Sequence, residues 1–351
     1  MAVQWEVTDM RVETSPGDHT RDSLFANGQM QVPVFVLIKA INPATGEVHT
    51  LKEEELKTIK LVDYYSPTTQ LSAPWTYSGQ ENEFHHALPS TASNETPQTD
   101  GPSPTAGLQK KPWWVSTSRV EHKNIGASIR APDGTVYHTG GGGPGGFDSH
   151  VTISGISPIH YNMSNVEFSG YVNTADGRTT NGTHTFDQDN YYLSSKVYPF
   201  RKVQMTGGYF GGPPPVEYSY VRVSWQIVNV FEKTHLHYLW PIGSQQTKQA
   251  GHQNATANIT INQRHGALCL TRLTLQGPKL YGNNGAGFNG RFTIWDEYGN
   301  WGKFGAGSKD DYNVITVSAH NTLLDENSSP SESFTPISPE EAASLEPENR
   351  E

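Results

Sequence analysis

Glu232-Lys-Thr-His-Leu-His-Tyr-Leu-Trp240 alternates polar and apolar residues, the period-two pattern of a β-strand with two unlike faces. Pleating sends Leu236, Tyr238 and Trp240 to one side and Lys233, His235 and His237 to the other. The first side is expected to be buried. The histidines are expected on the wetter side, ~6.6 Å apart along the backbone, a spacing at which both rings can lean onto one divalent metal. A catalytic metal needs a third protein ligand, and the residues that follow, Tyr238-Leu-Trp-Pro-Ile-Gly243, hold no carboxylate. The expectation is therefore a solvated His-x-His pair and no cofactor, with a metal-dependent enzyme at His235 and His237 as a competing reading.

The same two-residue rhythm runs outward through the chain. Gln31-Val-Pro-Val-Phe-Val-Leu-Ile-Lys39 is a strong apolar run, and strand signals recur over Trp113 to Ser118, Asn124 to Arg130, Phe147 to Gly155, Asn165 to Thr174, Tyr191 to Tyr198, Tyr218 to Phe231, Ala255 to Ile261, Ala267 to Leu275, Arg291 to Trp295 and Val314 to Ala319. Turn signals such as Asn27-Gly28, Pro132-Asp-Gly134 and Ala175-Asp-Gly177 separate them. Only Lys52 to Lys57 reads as helix. No internal repeat of fixed period stands out, which counts against propellers and solenoids. The expected class is all-β, with sandwich or jelly-roll-like units.

Composition agrees. The 351 residues are 34% hydrophobic and 17% charged, with 34 glycines, so the solvent face is supplied by uncharged polar residues rather than by the Glu and Lys of helical bundles. Expected divisions are a small β-sandwich over 1–65, a polar linker or surface excursion over 66–111, a larger sandwich over 112–321 and a disordered acidic tail over 322–351. Within the excursion, Trp75-Thr-Tyr77 and Phe84-His-His86 are expected to dock on something. The tail holds eight acids against Arg350, about −7 of the formal −10. The remainder has no strong field, which excludes nucleic acid as a partner.

No signal peptide or apolar span is read, and the single cysteine, Cys269, fits a reducing compartment, so the expectation is a cytoplasmic protein with no stable membrane insertion and unused Asn-x-Ser/Thr triplets. Cys269, inside Ala267-Leu-Cys-Leu, reads as buried and inert. Thr139-Gly-Gly-Gly-Gly-Pro-Gly-Gly146 lacks the Gly-Lys-Ser/Thr of a phosphate loop and leads into a strand. On that strand Asp148 and His150 share a face with Ser149 opposite, so they form no nucleophile triad. Asp187-Gln-Asp-Asn190 has the oxygens of a calcium loop without its glycine or distant glutamate, and reads as a solvated turn.

Two signals point to binding. Trp113, Tyr191, Trp295, Tyr298 and Trp301 lie near turns or strand ends, and Asp296 and Asn300 stand among the last three. Rings beside amides and carboxylates suit sugars, which offer C–H faces and hydroxyls. From Ser149 to Val166 no Asp, Glu, Lys or Arg occurs, a face suited to glycan or protein, or to a membrane-inserting hairpin that Pro158 would interrupt. The function these residues favour is non-catalytic, lectin-like engagement of a glycan or cell-surface ligand, with a membrane-active β protein as a second class. No residue pattern selects an oligomeric state.

Overall fold

The computed structural model describes residues 4–15, 17–89, 107–141, 145–207, 229–230, 233–252, 255–278, 290–309 and 313–320. The tail over 322–351, most of the strand expected over 218–231 and the centre of the Gly-rich run lie outside them. Of the described residues 59% are in strands and 2% in helix, with several antiparallel sheets, so the chain is all-β. It divides into two compact units, Met1–Ile159 and His160–Glu351.

The first unit holds β1 (Glu6–Thr14), β2 (Arg21–Phe25), β3 (Val32–Ile41), β4 (Val48–His49), α1 (Glu53–Leu56), β5 (Lys60–Asp63), β6 (Ser66–Gln70), β7 (Trp75–Ser78), β8 (Gln109–Thr117), β9 (His122–Arg130), β10 (Val136–His138) and β11 (Val151–Ile156). One sheet runs β1-β3-β8-β7 with β4 beside β3; the other runs β2-β11-β9-β5-β6 with β10 beside β9. Strand β3 shows why its sequence is continuously apolar. It lies between β1 and β8, and Val32 to Ile38 are buried on both faces, as expected of an interior strand covered on either side. β1 packs across the gap onto β9 and β11, which makes the unit a sandwich.

The boundary expected between residues 65 and 112 is not where the chain divides. Strand β8 pairs with β3, β6 extends the second sheet from β5, and β7 pairs with β8. The described parts of the polar excursion are thus woven into the first unit. Its few apolar groups do the docking: Trp75, Phe84 and Leu88 are all buried, and the Trp75 indole N–H donates to Glu121 Oε1 at 2.7 Å.

The second unit holds β12 (Val166–Arg178), β13 (Thr185–Ser195), β14 (Phe200–Gly207), β15 (Asn229–Val230), β16 (Lys233–Leu239), β17 (Gln246–His252), β18 (Ala255–Ile261), β19 (Ala267–Gln276), β20 (Gly290–Asp296), β21 (Trp301–Lys309) and β22 (Val314–Ala319). Its sheets run β12-β13-β19-β16-β15 and β14-β20-β21-β22, with the β17-β18 hairpin as a separate pair. Leu236 and Tyr238 of β16 and Trp240 just beyond it join Tyr192, Cys269, Leu273 and Leu275 in a core closed by Ala257, Ile259 and Ile261 of the hairpin. The buried thiol of Cys269 is pushed up to about 11 by that burial.

Two local expectations are corrected here. Asp176-Gly177 is not a turn: it pairs with Asp187 and Phe186 inside β12, and the irregularity falls earlier, between Tyr171 and Ala175, where Asn173 adopts φ 59°. Asp187 to Asn190 is likewise no solvated loop but the middle of β13, flanked by β12 and β19. The physical reason is common to both. Asp and Gly favour turns only where the backbone lacks partners, and here neighbouring strands supply them.

Candidate functional site

His235 and His237 share one face of β16, as the alternation predicts, but that face is buried: His235 is 8% exposed and His237 is fully buried. Polarity along a strand reports which partners a side chain needs, and here the partners are protein. His235 Nδ1 lies 2.9 Å from Thr274 Oγ1, and His237 stands opposite Arg272 in the β16–β19 register. Arg272 pairs with Asp189 and, at 2.5 Å, with Asp187 Oδ2, and also donates to Thr274 Oγ1. Both Arg272 and Asp189 are nearly inaccessible, whereas Asp187 reaches the surface. The result is a charged seam across β13, β19 and β16. At its exposed rim, burial and the charges of Asp187 and Asp189 raise the Asp176 carboxyl. Among the described residues no group of three or more His, Cys, Asp or Glu is arranged to hold a metal.

The Trp295 to Trp301 segment is also buried, contrary to its expected role as an exposed sugar platform. Trp295, Asp296, Tyr298, Asn300 and Trp301 are all at or below 7% exposure. They form the tight connection between β20 and β21, and Asp296 organises it. One oxygen accepts the backbone N–H groups of Tyr298 and Asn300, at 2.8 and 2.9 Å. The other accepts Tyr161 O–H at 2.8 Å and Asn300 Nδ2 at 3.0 Å. Burial pushes the Asp296 carboxyl up to about 6 against the pull of these donors. An Asp that binds its own turn reads in sequence like one waiting for a hydroxyl.

Tyr191 is buried as well, its ring parallel to Phe168 at 5.9 Å and laid over Gly170, where a Cβ would come within 2.9 Å of it. Trp113 is half-buried, edge-on to Tyr77 with centroids 5.1 Å apart. The uncharged stretch from Ser149 is no free hairpin: β11 is held between β2 and β9, and the unit boundary follows at Ile159.

A different aromatic group faces outward. Tyr65, just beyond β5, is 78% exposed. Its phenol oxygen accepts Asn124 Nδ2 at 2.8 Å, and Asn124 Oδ1 accepts Thr152 Oγ1 at 2.8 Å. A phenol oxygen that accepts one bond can still donate its own hydrogen. Tyr64 meets Tyr65 edge to face at 5.1 Å and packs on His150 at 4.3 Å. The Tyr64 hydroxyl donates to Asp148 Oδ1 at 2.6 Å, a bond that, with the carboxylate charge, raises the phenol. Next along the same face Ser154 Oγ lies 2.7 Å from His122 Nδ1.

The fold places these groups through four adjacent segments. Thr152 opposes Asn124 in the β11–β9 pairing, and the Tyr64 N–H continues the β5 ladder onto Asn124 O. Gly140 lets the segment after β10 press against Tyr64, since a Cβ there would sit 2.7 Å from Tyr64 O. The platform offers a ring face, hydroxyls, an amide and one carboxylate. The sequence held two of its signals, the shared face of Asp148 and His150 and the charge-free run from Ser149. Tyr64-Tyr65 carries no such signal, because the groups that hold Tyr65 come from segments 59 and more residues away.

No protein-family profile and no curated protein sequence matches the chain. Similar solved structures include the C-terminal domain of the Streptococcus agalactiae AgI/II polypeptide BspA, at 9% identity, covering 89% of this chain and 100% of that one with a TM-score of 0.21. Another is the C-terminal domain of the Streptococcus pyogenes antigen I/II-family protein AspA, at 9% identity, 89% and 99% coverage and a TM-score of 0.22. A third is the sialic acid binding region of a Streptococcus sanguinis adhesin, at 10% identity, 84% and 75% coverage and a TM-score of 0.21. Scores at this level do not establish a common fold.

Proposed function

We propose that the first unit is a non-catalytic binding module whose ligand is a glycan of a cell surface or glycoprotein, engaged at Tyr65, Tyr64, Asn124, Thr152, Asp148 and His150. The observation that carries this reading is an aromatic ring 78% exposed whose hydroxyl is nonetheless held by Asn124. A large apolar ring left in water is unfavourable unless it is covered in use, and a ring already oriented loses little entropy on binding. Sugars present C–H faces to such a ring and hydroxyls to the amides and hydroxyls around it.

Retention on an array of immobilised oligosaccharides tests the proposal. Tyr65→Ala should weaken retention by at least about tenfold, equivalent to ~1.4 kcal/mol. Val48→Ser, at an exposed position of the other sheet, should leave it unchanged. Retention that Tyr65→Ala does not alter refutes the proposal.

A further inference from the structure

We infer that the sugars taken by this platform are uncharged, and that Asp148 discriminates against acidic ones such as sialic acids and uronates; the inference rests on the reading of the platform as a glycan site. Asp148 is exposed, and its Oδ1 is occupied by the Tyr64 hydroxyl at 2.6 Å. That bond fixes the carboxylate plane beside the ring pair. Its second oxygen has no hydrogen-bond partner among the described residues, and the residue is exposed. A fixed carboxylate oxygen is a strong acceptor for a sugar hydroxyl and repels a sugar carboxylate.

The surrounding groups do not offset that charge. Asn124, Thr152, Ser154, Tyr64 and Tyr65 are uncharged. His150 packs on the Tyr64 ring, and His122 is engaged with Ser154. Lys123 is tied to Asp63 in an ion pair. Partial burial opposes ionisation of Asp63, but Lys123 and the N–H groups of Tyr65 and Ser66 outweigh it and hold the carboxyl below its usual range. Arg21 is a cation on the same face, as are Lys60 and Arg130 farther along β5 and β9. Arg21 stands opposite Thr152, two strands and so roughly 10 Å from Asn124, at about a Debye length from the rings in physiological salt. It also has its own counter-charge in Asp18, whose carboxyl is lowered by the N–H groups of Thr20 and Arg21 and by the Arg21 charge.

The experiment uses the full chain on an array that carries neutral galactosides, glucosides and mannosides beside their sialylated or uronate-bearing counterparts, with Tyr65→Ala and Asp148→Asn as variants. Tyr65-dependent retention should be about five- to tenfold stronger on the neutral member of a matched pair, the factor expected of one like-charge contact at the surface. Asp148→Asn should bring the two members to within about twofold. The preference should also shrink in 1 M salt, where charges are screened within ~3 Å. Tyr65-dependent retention that is equal or stronger on the acidic members overturns the inference and leaves the platform standing as a glycan site. Absence of any Tyr65-dependent retention overturns both.

Discussion

Replacing Asp22 with asparagine isolates one buried proton in the first unit. Asp22 lies in β2 at 6% exposure. Its Oδ1 accepts the Ser23 N–H at 2.8 Å, and its Oδ2 lies 3.1 Å from Thr14 Oγ1. Thr14 Oγ1 is also 2.7 Å from Pro33 O, a carbonyl that can only accept, so the hydroxyl hydrogen is directed there. The contact with Asp22 is then a hydrogen bond only if Asp22 supplies the proton. Independently of that contact, burial pushes this carboxyl up from 3.8 to about 7, with Asp18 adding to the rise and the Ser23 N–H opposing it.

The sign follows from the extra proton held by the folded state. Between the unfolded value of 3.8 and the folded value of about 7, the native chain binds more protons than the unfolded one, so stability falls as pH rises through that window. A gap of about three units at 1.36 kcal/mol each gives a loss of about 4 kcal/mol between pH 4 and pH 8. In the Asp22→Asn variant the new amide would donate to Thr14 Oγ1 without titrating. Urea unfolding of the intact chain, followed by tryptophan fluorescence at pH 4 and at pH 8, measures the difference. The two proteins should match within about 1 kcal/mol at pH 4, and Asp22→Asn should be the more stable by about 4 kcal/mol at pH 8. Parallel pH profiles for the two proteins would show that Asp22 is ionised in the fold and would refute the reasoning. Comparing the variants cancels the other buried acids, Asp189 and Asp296, which both retain.

Arg272→Ala should destabilise the second unit by about 3–5 kcal/mol, because it strands the buried Asp189 without its cation; differential scanning calorimetry should show the corresponding transition lowered by roughly 6–20 °C for a unit of this size, and an unshifted transition would remove the seam from the list of structural determinants. Cys269, fully buried and with its thiol raised to about 11, should not react with Ellman's reagent in the native protein and should react stoichiometrically in denaturant.

Some of this was legible in the residues. The apolar run Gln31 to Lys39, the alternation over Ala255 to Ile261 and the unbroken Ala267 to Leu275 each became a strand in the expected place. The facing within β16 was also legible, since Leu236, Tyr238 and Trp240 do share a core. What failed was the step from face to solvent. His235, Asp189 and Asn300 are polar and buried because Thr274, Arg272 and Asp296 reach them from 39, 83 and 4 residues away. Aromatic residues failed in the same way: Trp295 and Trp301 looked like a platform beside a turn, whereas among the described residues it is Tyr65, just beyond β5, whose ring stands in water.

Local chemistry thus determined the element type. Side chains two residues apart must share a face, and β-branched and aromatic residues with Gly and Asn breaks leave little else to form than short antiparallel strands. Only the tertiary structure decided which faces are covered, where the chain divides and which polar groups remain to meet a ligand. Burial is a property of what packs above a strand, and in a fold built from pairings such as β3 with β8 and β2 with β11 the covering residues lie far along the chain. Alternation within nine residues carries no record of them.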